Sequence, residues 1–151
     1  MTEKYQSSFV LIKPNAIQRE LVGEIISRFE SKGLRLDAMK MIIMSRELAE
    51  EHYAEHKGKS FYNELIDFIT SGPVIAMVLS GPSAIEAVRY VVGDTDPLKA
   101  RPGTIRGEYA ITMARNIVHA SDSIESARRE IRRFFTRKEV LNYHLNLEED
   151  I

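Results

Sequence analysis

The chain has 151 residues, enough for one domain with a real core, and 44% of them are hydrophobic against 28% charged. With 21 Lys and Arg against 22 Asp and Glu the net charge is −1, which gives no overall pull toward nucleic acid or an anionic membrane. No cysteine is present, so disulfides, thiol nucleophiles and Cys-based metal sites are excluded, and the composition fits a reducing compartment.

Residues 1–8 lack the apolar run of a secretory leader. The longest apolar stretches, 9–12, 41–44 and 74–79, fall far short of the ~20 residues that span a bilayer. The expectation is a cytoplasmic protein, not associated with membrane, forming a single domain over residues 1–151. Residues 9–12 read as a buried strand stopped by Pro14. Over 16–32 the apolar positions Ile17, Leu21, Val22, Ile25, Ile26 and Phe29 recur at helical spacing, and Gly33 supplies a stop. Residues 34–43 alternate as a second strand, with Leu34, Leu36, Ala38, Met41 and Ile43 facing inward. Ser45 caps a helix over 47–57, and another helix fits 61–70. Residues 73–79 are the clearest strand, broken by Gly81-Pro82, and a helix runs from Ser83 to Val92. The stretch 93–107, rich in Gly, Pro, Thr and Asp, reads as a long functional loop. Asn116 to His119 fits a short strand. Asp122 or Ser123 then caps a helix through Phe135, with Ile124, Ala127, Ile131 and Phe134 as its inner stripe, and the acidic tail 148–150 is expected to be exposed. This order predicts an α/β (α+β) two-layer sandwich with a small, mostly antiparallel sheet.

Familiar phosphate motifs are missing. Gly58-Lys59-Ser60 lacks the earlier Gly of a P-loop, because that position is Tyr53, and no G-x-G-x-x-G occurs. Phosphates would have to be bound by side chains. His52 and His56 stand one helical turn apart, but no third ligand or H-E-x-x-H pattern accompanies them, so they read as surface residues. In the loop and its approach, Arg89, Thr95, Arg101, Thr104 and Arg106 suit phosphate oxygens. The other account is a solvated loop whose arginines pair with Asp94, Asp96 and Glu108. His119 ends an apolar run and leads into a polar turn. Glu130, on the flank of the last helix's inner stripe, could orient its ring directly or through Ser121. Arg128, Arg129, Arg132, Arg133, Arg137 and Lys138 make the final helix basic, a solvated face or subunit contact; nucleic-acid binding is disfavoured by the near-neutral chain.

Taken together, Val10-Leu-Ile-Lys-Pro14, Ser71-Gly-Pro-Val74, Pro102-Gly-Thr-Ile-Arg-Gly107 and Arg115-Asn-Ile-Val-His-Ala-Ser-Asp122 resemble the nucleoside diphosphate kinases, in family order and spacing. The resemblance implies a ferredoxin-like sandwich that assembles as a homo-oligomer, commonly a hexamer and in some members a tetramer. It implies γ-phosphoryl transfer from ATP or another nucleoside triphosphate to a nucleoside diphosphate, by a ping-pong route with Mg²⁺ bound mainly through nucleotide phosphates. By motif position His119 would be the phosphorylated nucleophile, with Glu130 and Ser121 holding it and Tyr53 beside it. Lys13 would contact phosphate and ribose, Asn116 the ribose, Arg89, Thr95 and Arg106 the phosphates, and Phe61 would stack on the base. No protein side chains are implied as direct metal ligands. The sequence departs from the commoner pattern at Ala120 (for Gly), Ser60 (for Pro) and Asn15-Ala16 (for Asp-Gly), and none of these removes a reacting group. The rival reading is a non-catalytic nucleotide-binding or scaffold relative.

Overall fold

A computed structural model describes residues 4–145; the acidic tail at 148–150 lies outside them. Four strands form one sheet in the order β2-β3-β1-β4: β1 is Tyr5–Ile12, β2 Arg35–Ile42, β3 Val74–Pro82 and β4 Val118–Ala120. Every neighbouring pair is antiparallel. With helices between strands this is the ferredoxin-like α+β arrangement. The inner part of β1 is apolar at consecutive positions because both of its faces are covered. Val10 and Ile12 meet α2 (Val22–Ser31) and α5 (Ala84–Val92) on one side. Phe9 and Leu11 meet α3 (Arg46–His52), α4 (Tyr62–Ile69) and α7 (Ile124–Phe134) on the other. Among the described residues no helix is long and apolar enough to cross a membrane.

Several local features depart from simple periodicity. The helix expected over 16–32 is two pieces, α1 (Pro14–Gln18) and α2, because Glu20 adopts φ 58° and turns the chain between them. In β2 the inward alternation does not persist. A bulge between Leu36 and Ala38 moves Ala38 to the opposite face and returns Met39 and Met41, opposite Met77 and Ile75, to the face of Leu36. At this sheet edge Met39, Met41 and Ile43 are nevertheless 50%, 59% and 71% exposed. The expected inward placement of Met41 and Ile43 is thereby corrected. Ser45 does cap α3, accepting from Leu48 N at 3.1 Å, but that helix stops at His52 and a tighter turn covers Ala54–His56. α7 begins where expected, with Ser123 accepting from Ser126 N.

The long loop also contains a short helix, α6 (Ile105–Tyr109), capped by Thr104, whose hydroxyl accepts from Gly107 N at 3.0 Å and donates to Arg101 O at 2.7 Å. A Cβ on Gly107 would lie 2.2 Å from that same Arg101 oxygen. Gly107→Ala is therefore expected to cost ~1–3 kcal/mol through overpacking. A thermal melt matching the wild type would show that the loop relaxes without penalty.

Candidate active site

The sheet brings the N-terminal and C-terminal motifs together. Leu11 on β1 pairs with His119 on β4, and Lys13 N donates to Ile117 O at 2.9 Å. Just before β4 the chain makes a γ-turn: Val118 N donates to Asn116 O at 2.9 Å, and Ile117 takes φ 80°. That conformation is strained for a β-branched residue, and Ile117 is held in it by complete burial. The turn sets Asn116 Oδ1 to accept from Lys13 Nζ at 2.7 Å.

His119 sits on the face of β4 that looks into a cavity of about 1000 Å³. Glu130 reaches it from α7. Its Oε2 meets His119 Nε2 at 2.5 Å, and its Oε1 accepts from Ser121 Oγ at 2.7 Å. Ser121 is itself fixed, because its Oγ accepts from Phe9 N at 3.1 Å. Of the two routes left open by the sequence the direct one is present, and Ser121 braces the carboxylate from behind without bridging to the ring. Tyr53 follows the end of α3 with its hydroxyl buried and, among the described residues, without a hydrogen-bond partner. Burial, followed by the Glu130 charge, holds its phenol above the ordinary range, so it stays an O–H group.

Cations line the same cavity. Arg106 is buried, donating to Gly93 O at 3.1 Å and Val118 O at 2.7 Å. Its partners are therefore backbone carbonyls, not the acidic residues of the solvated-loop account, and Glu108 pairs with Arg28 instead. Burial, then repulsion from Arg89, pushes the Arg106 guanidinium down to about 10. Arg89 lies near Ala120 O at 3.5 Å, and Thr95 also lines the cavity. The ammonium of Lys13 is lowered to about 7, first by burial and then by Arg106. At the outer end Phe61 is 46% exposed, with the His56 ring 5.5 Å away and Lys59 Nζ 5.7 Å from its centroid. Each predicted site residue lines this cavity except Ser121, which is buried behind Glu130. Arg101 and Thr104 do not reach it; Thr104 serves the loop's own cap.

The substituted positions are accommodated. Ala120 is buried in the core on the other side of β4 from the imidazole, so its methyl group does not crowd His119. Asn15 donates through Nδ2 to Arg115 O at 3.2 Å, tying α1 to the segment before the γ-turn.

His52 requires a correction. It is not a surface residue: it is 8% exposed, and its ring lies 4.8 Å from that of His119. Only His56 is partly open. The signal was the inward spacing Ala49, His52 on an amphipathic helix, which carries His52 beneath the sheet. Donor atoms of His52, His119 and Glu130 fall within 4.8 Å of one another, a set that resembles a metal site. The Lys13, Arg89, Arg106 and Arg133 charges around the same cavity oppose a bound cation and favour a polyanion.

The family model for nucleoside diphosphate kinase matches residues 6–140. The chain belongs to the nucleoside diphosphate kinase family. It is 57% identical over 144 residues to a nucleoside diphosphate kinase of Kosmotoga olearia, covering 95% of this chain and 98% of that protein. A Thermosipho africanus relative of the same name is 53% identical over 146 residues, covering 97% and 99%. Among solved structures, a Halobacterium salinarum nucleoside diphosphate kinase in complex with CDP is 42% identical. Its TM-score is 0.93 with 97% of each chain covered. A family protein from Babesia bovis gives 0.92 at 41% identity, covering 95% of this chain and 97% of that one. The chain is accordingly an enzyme, a kinase that moves a phosphoryl group between nucleotides, with a nucleoside triphosphate as donor.

Proposed function

We propose that His119 is the residue phosphorylated in each half-reaction, and the observation that carries this reading is its bond to Glu130. A carboxylate accepts from Nε2–H, which leaves the lone pair of a neutral imidazole on Nδ1. In the first half-reaction Nδ1 bonds to the γ-phosphorus as the bridging P–O bond to the β-phosphate breaks, and the diphosphate leaves with that electron pair. In the second, a terminal oxygen of another nucleoside diphosphate attacks the same phosphorus and the P–Nδ1 bond breaks back to the ring. Lys13, Arg89 and Arg106, with the Thr95 hydroxyl and the Tyr53 O–H, are the positioning and charge-stabilising groups for the phosphates. Asn116 is assigned to the ribose. The complete polar set favours this over a non-catalytic scaffold.

Mg²⁺ fits as a nucleotide-borne ion. Glu130, the carboxylate at His119, is already occupied by the imidazole and by Ser121, so the ion's ligands would be phosphate oxygens and water. It would supply neutralisation of phosphate charge. We assign the chain to one cytoplasmic domain and to a homo-oligomer, hexameric or tetrameric. The bulged edge strand β2, with exposed Met39 and Met41, supports contact between copies.

The decisive test is brief incubation of the enzyme with γ-labelled ATP and Mg²⁺, followed by acid or alkali. Label lost in mild acid and stable in alkali is expected, together with exchange between ATP and ADP in the absence of any other acceptor. If the purified enzyme turns over yet never acquires such label, the covalent route is wrong.

Base tolerance follows from Phe61. An aromatic face stacks on any base and reads no hydrogen-bonding edge. GDP and CDP should therefore differ in kcat/KM by less than about a hundredfold, or ~2.7 kcal/mol. Phe61→Ala should weaken both by ~1–3 kcal/mol. Loss confined to one base would contradict the stacking role.

A further inference from the structure

Two imidazoles are held by one turn of α7. Glu130 takes His119, and Arg133, three residues later, takes His52: Arg133 Nη1 lies 3.0 Å from His52 Nδ1. A guanidinium can only donate, so His52 Nδ1 accepts and its proton resides on Nε2. That Nε2–H is buried and has no hydrogen-bond partner among the described residues. Leaving such a donor unmet costs ~1–3 kcal/mol, and a site that keeps one invites a functional reason.

The surroundings say where the donor can act. The His52 ring is boxed by Tyr53 at 4.7 Å, Phe134 at 5.2 Å and Phe9 at 6.0 Å, none of which offers a ring acceptor for a strong bond. Its fourth ring neighbour is His119, at 4.8 Å and 77°. Ligand-type atoms of His52, His119 and Glu130 lie within 4.8 Å of one another, and a carboxylate oxygen has lone pairs beyond the one that His119 uses. The acceptors beside the ring are thus the Glu130 carboxylate and the Tyr53 hydroxyl, which is also buried and unpartnered among the described residues, and of the two only the carboxylate is bonded to His119. Burial first, and then its cationic surroundings with Arg133 and Lys13, keep His52 uncharged.

We propose that His52 is a positioning residue for phosphoryl transfer, whose ring edge and Nε2–H hold the His119–Glu130 pair in the orientation that points Nδ1 at the phosphorus. This rests on the assignment of His119 as the nucleophile. His52 acts through that pair: it limits how far the carboxylate and imidazole can swing while the charge on the ring changes. Misplacement of a reacting atom by an ångström is enough to cost about a hundredfold in rate.

The test separates the N–H from the bulk of the ring. His52→Phe keeps a flat aromatic group among Phe9, Tyr53 and Phe134 but removes the donor. His52→Gln can put an amide N–H near the position of Nε2. Rapid-quench measurement of phosphohistidine formation from ATP should be about 10- to 100-fold slower in His52→Phe, with the Kd for ADP unchanged. His52→Gln should recover most of that loss. A His52→Phe enzyme as fast as wild type, a His52→Gln enzyme as slow as His52→Phe, or a loss that falls on ADP affinity overturns the proposal. Imidazole ¹⁵N spectra of the wild type give a check independent of how the variants fold. His52 should be the neutral Nε2–H form throughout about pH 5–8, and a protonated or Nδ1–H ring there also overturns it. Failure of the wild type to form any adduct would instead remove the His119 assignment, whereas normal adduct formation with an indifferent His52→Phe removes His52 alone.

Discussion

His119→Ala is expected to lose the covalent adduct and to fall at least about 10⁴-fold in turnover, while binding ADP within a few-fold of wild type. The size follows from the route. Removing a nucleophile leaves no partial version of a two-step reaction, and what remains is the rate from bound, aligned nucleotide alone. Binding should survive because the cations and the stacking ring come from other elements: Lys13 after β1, Arg89 on α5, Arg106 on α6 and Phe61 before α4. The fold should survive too. The His119 side chain is 26% exposed and faces the cavity, so truncation enlarges an open pocket and leaves no void in the core. Steady-state turnover with calorimetric ADP binding measures both quantities. Activity retained within about a hundredfold would mean that phosphate passes directly between nucleotides, and the histidine assignment would fail.

Much of that site was legible in the sequence, and what was missed has identifiable physical causes. The motif residues are short-range signals: Lys13 beside Pro14, Asn116 three before His119, Ser121 two after it. Glu130 could be placed because a helix repeats every 3.6 residues, and the flank of its apolar stripe returns toward the strand. The arginine of the loop could be named but not explained. Its partners are the carbonyls of Gly93 and Val118, which no side-chain pattern reports. The γ-turn at Ile117 was equally hidden, since a buried isoleucine gives no hint of φ 80°. Strict alternation failed in β2 because one bulged residue exchanges the faces of everything after it. His52 is a case where helical position outweighs side-chain polarity, which composition does not reveal. Apolar neighbours on the same face, Ala49 at the same depth, should have placed it inside. What long-range packing decides, a one-dimensional pattern does not carry.

Nucleotide binding is expected to draw in a proton above pH 7, and Lys13 is the group that takes it. In the empty site its ammonium is buried, beside Arg106, and its pKa is brought from 10.5 to about 7. Polyphosphate supplies the missing negative charge, so the bound-state pKa rises. Below about pH 7 Lys13 is charged with or without ligand and contributes no slope. Above it the empty enzyme loses a proton that the complex retains, so affinity should fall by up to about tenfold per pH unit until the bound-state pKa is reached. The same sign governs the empty fold. Between about pH 7 and 10.5 the unfolded chain holds the proton that the folded one has released, so this group makes stability rise with pH across that window. Saturating nucleotide should flatten that rise. Calorimetry of ADP binding near pH 8 in two buffers of different ionisation enthalpy reads the uptake directly. Lys13→Met should abolish the uptake and, by removing a cation from the transferring phosphate, lower kcat/KM by ~10²–10³. Zero uptake in the wild type at that pH would mean that Lys13 is charged before the nucleotide arrives. Its ammonium, held by Asn116, would then be a standing cation that meets the phosphates together with Arg89 and Arg106, with no proton taken up on binding.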